Sequence, residues 1–83
     1  MKHAKFAALS RVLIDLGFTM RTDSKFIRFD NAKSNTWFLY PAYSDEEEVM
    51  DFELTATRYI LDYKGIMSRE QFEDRLKSIS VAS

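Results

Sequence analysis

The hydrophobic pattern of this chain changes period at one point, and that change decides which folds are open to it. Up to Leu16, apolar residues recur at three- and four-residue steps: Phe6, Leu9, Leu13 and Leu16, with Ala8 and Val12 widening the stripe. That spacing predicts an amphipathic helix over residues 2–16. Gly17 then stands where a left-handed C′ residue is wanted, and Phe18 is placed to fold back on the last turn. From Phe18 the residues alternate apolar and polar, the two-residue period of a half-buried strand. A helix cannot continue through that switch, so the chain combines helix with sheet.

Three short strands are expected. Residues 18–21 form the first, and Thr22-Asp23-Ser24 has the composition of a turn. Residues 25–29 read as the second strand, 30–35 as a loop, and 36–40 as the third, closed by Pro41. Strands joined by such short connections pair antiparallel as a meander. Ile27 and Phe29 share one face of their strand, and Trp37 and Leu39 share one face of theirs. Phe26 and Arg28, grouped with Phe38 and Tyr40, are expected to point the other way. Few helices are available to cover a sheet, so one aromatic set is expected to stay open beside an arginine. Contiguous exposed aromatics mark a partner surface, here assigned to Phe26, Phe38 and Tyr40. The competing reading is that a helix or the C-terminal tail covers them.

After the sheet comes Asp45-Glu46-Glu47-Glu48, a solvated loop or first helical turn. Neighbouring carboxylates can bind a hard cation or exchange protons, but an acidic run with no histidine beside it is more often plain surface. A second helix is expected over residues 51–64, with Asp51 as N-cap and Gly65 as its stop. Its apolar residues (Phe52, Leu54, Ala56, Tyr59, Ile60, Leu61, Tyr63) occupy much of its girth, which suggests the central helix against the sheet. A third helix is announced by a capping box, Ser68 with Gln71, and a hydrophobic staple, Met67 with Phe72. Phe72, Leu76 and Ile79 continue its inner face, and residues 80–83 are expected to fray.

Eighty-three residues support one domain with one modest core, here residues 1–83. The 46% apolar and 30% charged composition belongs to a folded chain. With no cysteine there are no disulfides and no thiolate metal sites, as a reducing cytoplasm would allow. No apolar stretch is long enough for a bilayer, and Arg11 and Asp15 interrupt any signal-peptide core, so a cytoplasmic protein off the membrane is expected.

The net charge of −1 conceals an asymmetry: residues 1–33 carry seven bases against three acids, and the remainder five against ten. Such a split can mark a polyanion-binding face, although two solvated halves would look the same. No Gly-rich phosphate loop, histidine pair or cysteine cluster is present, so neither a metal nor a cofactor is expected. The one histidine is His3, more plausible as a surface residue than as a general base. A polar cluster remains at the first turn and second strand: Arg21, Ser24, Lys25 and Arg28, which Lys2 and Lys5 would extend. An arginine fork, a lysine point charge and a serine hydroxyl all suit phosphate. Binding of this kind is backbone-driven and sensitive to salt.

Several segments are similar to one family. They are Leu16-Gly17-Phe18, a polar turn with Ser24 before the second strand, Leu39-Tyr40-Pro41, Leu61-Asp62-Tyr63-Lys64-Gly65, and Met67-Ser68-Arg69-Glu70-Gln71-Phe72. Over residues 5–78 the chain resembles HicA-like (YcfA-like) toxins, particularly members with an added C-terminal helix. The resemblance implies an α+β fold like that of double-stranded-RNA-binding domains: a three-stranded antiparallel sheet packed by helices, α-β-β-β-α plus a C-terminal helix. It implies a small metal-free ribonuclease acting on mRNA, held inactive by a HicB antitoxin, with its catalytic histidine in a Gly-Ser/Thr-His segment opening the second strand.

Asp23-Ser24-Lys25 occupies that segment, with serine kept, glycine replaced by aspartate and histidine by lysine. Metal-free RNA cleavage moves protons to and from oxygens, which histidine does well near neutrality. An exposed lysine is almost fully protonated at pH 7 and is a poor base, though it can stabilise phosphate charge. The expectation is therefore an RNA- or antitoxin-interacting domain without efficient cleavage. The alternatives are an active mRNA interferase using Lys25 or His3, and a homodimer joined by exposed aromatics, which the near-neutral net charge favours.

Overall fold

The structure, a computed structural model, describes residues 4–82, with side chains as far as residue 79. The elements are α1 (Phe6–Asp15), β1 (Thr19–Thr22), β2 (Phe26–Asn31), β3 (Thr36–Pro41), α2 (Asp51–Tyr63) and α3 (Arg69–Ala82). The strands pair antiparallel in the order β1-β2-β3, so the fold is α+β, three helices with one three-stranded meander.

Both glycines stop helices as expected. Gly17 has φ +96° and Gly65 φ +71°. After α1, Gly17 N–H donates to Ile14 O and Phe18 N–H to Leu13 O; after α2, Gly65 N–H donates to Asp62 O and Ile66 N–H to Leu61 O. These are two complete Schellman motifs, each with an apolar residue folded back beyond the glycine.

The start of α1 differs from expectation. Lys5 is extended (φ −74°, ψ 150°) and bridges Glu48, so the helix begins at Phe6, while Lys2 and His3 lie outside the described residues. No side chain caps this end. Instead Phe6 N–H donates to Glu47 O at 2.8 Å and Ala7 N–H to Asp45 O at 3.1 Å, while Val49 N–H donates to Ala4 O. The acidic loop thus satisfies N–H groups that a helix start leaves orphaned. It is folded by its own contacts, Ser44 N–H to the Glu47 carboxylate and Glu47 N–H to Ser44 O.

Phe29 and Leu9, with Leu13, Leu54, Leu61 and Phe72, are fully enclosed. Phe6 joins the helices to the sheet, with ring centroids 6.1 Å from Phe29, 6.2 Å from Tyr40 and 5.6 Å from Tyr43. β1 is not half-buried: all four of its residues are exposed. The apolar residue that does go inside is Phe18, just before the strand, against Phe38 at 5.5 Å.

α2 is also placed differently. It buries only Leu54, Thr57 and Leu61, and Phe52, Tyr59 and Tyr63 face outward. α1, with Phe6, Ala8, Leu9, Val12 and Leu13 buried, is the more enclosed helix. Asp51 lies in the first turn of α2, and Met50 is the N-cap. Tyr43 secures that end, donating to Glu53 Oε1 at 2.5 Å and accepting from Met50 N–H.

The capping box of α3 is formed in both directions, Ser68 N–H to Gln71 Oε1 and Gln71 N–H to Ser68 Oγ, each 3.2 Å. Phe72 and Leu76 are buried as expected, and the helix continues to Ala82 through the residues expected to fray. Arg75 with Asp15 at 2.7 Å ties α3 to α1, and Arg58 with Glu73 ties it to α2.

Candidate functional site

The assignment of sheet faces corrects the sequence reading. Ile27 pairs with Tyr40 and Phe29 with Phe38, while Arg28 pairs with Leu39 and Asp30 with Trp37. Partners across a ladder share a face, and the four-residue loop over residues 32–35 sets a register in which odd residues of β2 stand beside even residues of β3. Phe38 and Tyr40, expected on an open partner surface, are therefore core residues on the helix side. Tyr40 is fastened there by a 2.6 Å bond to Thr57. Because the Thr57 hydroxyl donates to Glu53 O, the Tyr40 hydroxyl is the donor. Burial holds the Tyr40 phenol far above its ordinary pKa.

The face away from the helices carries Thr19 and Arg21 of β1, Phe26, Arg28 and Asp30 of β2, and Trp37, Leu39 and Pro41 of β3. Phe26, Trp37 and Leu39 are about half exposed, at 46%, 54% and 46%. Arg21 stands directly opposite Arg28. Like charges in that position repel, and Arg28 is relieved by Asp30 at 2.8 Å and by the Trp37 ring, whose centroid lies 4.6 Å from its guanidinium carbon. Arg21 has no ion pair among the described residues. Sequence reasoning missed Trp37 and Leu39 as members of this face. The length of the loop after β2 was the signal that could have placed them.

At the end of this face, the β1–β2 turn is closed by Asp23 N–H to Phe26 O at 2.8 Å. Asp23 Oδ1 accepts the Ser24 hydroxyl at 3.2 Å and the Lys25 N–H at 3.4 Å. The turn is made without a positive φ, the carboxylate serving as its internal acceptor. Ser24 is thereby occupied within the turn, whereas the exposed Lys25 ammonium has no ion pair among the described residues. Lys5 does not contribute a free cation: its ammonium is held by Glu46 at 2.8 Å. The shared hydrogen bond raises the Lys5 pKa and lowers that of Glu46.

The surface thus combines two guanidinium groups, a lysine at the turn, two exposed rings and a leucine. Such a set can hold phosphates and stack planar groups. It has no paired proton donor and acceptor, and no histidine lies among the described residues. Among them, too, no group of three or more His, Cys, Asp or Glu residues could hold a metal ion, and no helix is long and apolar enough to cross a membrane. Comparison with family models, curated proteins and solved structures finds no match for this chain, so the likeness to HicA-like toxins rests on its short sequence segments alone.

Proposed function

We propose that this chain is a HicA-like RNA-interacting domain that binds single-stranded RNA on the open face of its sheet without efficient cleavage. The observation that carries the reading is the juxtaposition of Arg21 with Arg28 on the face that also exposes Phe26 and Trp37. Phosphates would lie on Arg21, Arg28 and Lys25, and bases would stack on the rings, a sequence-tolerant mode of binding. The order α-β-β-β-α with one further helix is the order expected of a double-stranded-RNA-binding-like core, which supports the reading. Loss of cleavage follows from Lys25 at the position that the resemblance gives to the catalytic histidine.

The test is a titration with a single-stranded RNA oligonucleotide, read by emission of Trp37, the only tryptophan. Saturable quenching is expected, weakening steeply as salt rises, with the RNA recovered intact. Absence of binding at low salt, or affinity indifferent to salt, would overturn the proposal. Degraded RNA, with degradation lost in Lys25→Ala, would instead establish an active mRNA interferase.

A second reading, a HicB-like antitoxin docked on the same face, is favoured by Arg28 lying over Trp37 with its charge balanced by Asp30. Arginine and tryptophan are the residue types that most often anchor protein interfaces. Binding to a HicB-like protein that does not weaken with salt, together with no binding to RNA, would select it.

A further inference from the structure

We infer that the free edge of β3 is a self-association site, at which a second copy of this chain pairs strand to strand and extends the sheet to six strands. The argument begins with the ladder. Asp23 N–H donates to Phe26 O, so Phe26, Arg28 and Asp30 direct their backbone groups toward β1. By the alternation of antiparallel pairing, Ile27, Phe29 and Asn31 bond to Tyr40, Phe38 and Thr36. The N–H and C=O groups of Trp37 and Leu39 therefore point outward from the edge. They take part in none of the turn, cap or side-chain hydrogen bonds among the described residues.

This edge lacks the devices that keep strands apart. β3 has six residues and no charge, and its outward side chains include Trp37 and Leu39. β1, at the other edge, has four residues, with Arg21 among exposed threonines. Short strands and charges protect edges, and a long apolar edge invites pairing. Pro41 limits the exposed stretch, and its carbonyl already accepts Tyr43 N–H at 2.7 Å.

The occupant is a second copy because the edge is self-complementary. A two-fold axis through Phe38 sets Trp37 against the partner's Leu39 and Leu39 against the partner's Trp37, which satisfies all four outward groups. On the helix side a groove of about 210 Å³ runs between β3 and α2. That groove is lined by Leu39, Phe52, Ala56 and Thr57, with Glu53, whose carboxylate is already bonded by Tyr43. Phe52 and Ala56 open a stripe that continues to Tyr59 and Tyr63, whose rings stack at 6.3 Å. A two-fold interface would bring the two α2 stripes together on that side.

Area is sufficient. Trp37, Leu39, Phe52, Tyr59 and Tyr63 are between 46 and 76% exposed. With each ring able to bury roughly 150–250 Å² when fully enclosed, they offer on the order of 500 Å² per copy before the strand backbone is added. Specific interfaces bury about 800 Å² per partner. No charged side chain of β3 meets its own image across the axis, so nothing in the strand opposes the pairing.

The inference does not depend on RNA, and its test uses the chain alone. Sedimentation equilibrium at submillimolar concentration should give twice the 9.8 kDa chain mass. Leu39→Pro removes an outward N–H that β2 does not use, and should weaken dimerisation by about tenfold or more. Phe52→Glu leaves the strand intact and should have an effect in the same direction, with far-ultraviolet circular dichroism confirming that both variants are folded. A wild-type monomer at every concentration would overturn the proposal. So would a dimer unchanged by both substitutions, or assemblies larger than two copies.

Discussion

The two faces of the sheet are made from nearly the same kinds of residue, and they do opposite things. On the helix side, Ile27, Phe29, Phe38 and Tyr40 are closed off by α1 and its neighbours. On the other side, Phe26, Trp37 and Leu39 stand half in solvent around two arginines. Aromatic content cannot tell these faces apart. What separates them is the company each ring keeps: Phe29 has the rings of Phe6 and Tyr40 around it, whereas Trp37 has a guanidinium over it. A ring enclosed by rings is packing, and a ring shared with a cation in water remains available to a ligand.

Substitutions can break that comparison or sharpen it. Phe29→Ala should be the most damaging, costing about 3–5 kcal/mol of stability in urea unfolding, because it opens a cavity at a fully enclosed position. On the open face, Arg21→Ala with Arg28→Ala should leave the fold intact while weakening RNA binding by about tenfold or more and lowering the salt slope by about 1.4. That variant is measured by the same oligonucleotide titration, and unchanged affinity would remove the arginines from the site.

Tyr40→Phe should cost about 1 kcal/mol, since it deletes one hydrogen bond while Thr57 keeps its bond to Glu53 O. It should also flatten the alkaline response. The folded Tyr40 pKa is raised, so its contribution is fully present below the unfolded value near 10 and is lost as pH rises above it. Unfolding free energies measured across that range should fall less steeply in Tyr40→Phe than in the wild type. Trp37→Ala should be the mildest for stability, about 0.5–1 kcal/mol at most, the size of an exposed cation–π contact. A loss as large as that of Phe29→Ala would mean that the open face is covered after all.

Some signals are legible because their chemistry is local, although Asp51, which reads as an N-cap, stands in the first turn of α2 with Met50 as the cap. The two glycine stops and the Ser68–Gln71 box each depend on a few adjacent residues, and each is present. Face and register were harder because they depend on how one strand counts against another across a loop. Grouping Phe26 with Phe38 and Tyr40 treated the strands separately, and one residue of register reverses every side chain. The exposed stripe of α2 has a similar origin: its apolar residues surround the helix, and tertiary packing selects Leu54, Thr57 and Leu61. Within the site, Arg21 and Arg28 could be named from composition, but their direct opposition appears only once β1 and β2 are paired. Lys5 was likewise legible as a cation and illegible as a partner of Glu46, forty-one residues away.

The beginning of α1 is completed by carbonyls of Asp45 and Glu47, from the middle of the chain. This has a consequence for the order in which the molecule comes together. During synthesis the leading N–H groups of α1 stay bonded to water until residues 45–48 have left the ribosome and closed onto them. A nascent chain halted before residue 45 would therefore hold a helix without its start. Closure of the acidic loop onto α1 joins segments some forty residues apart in one step.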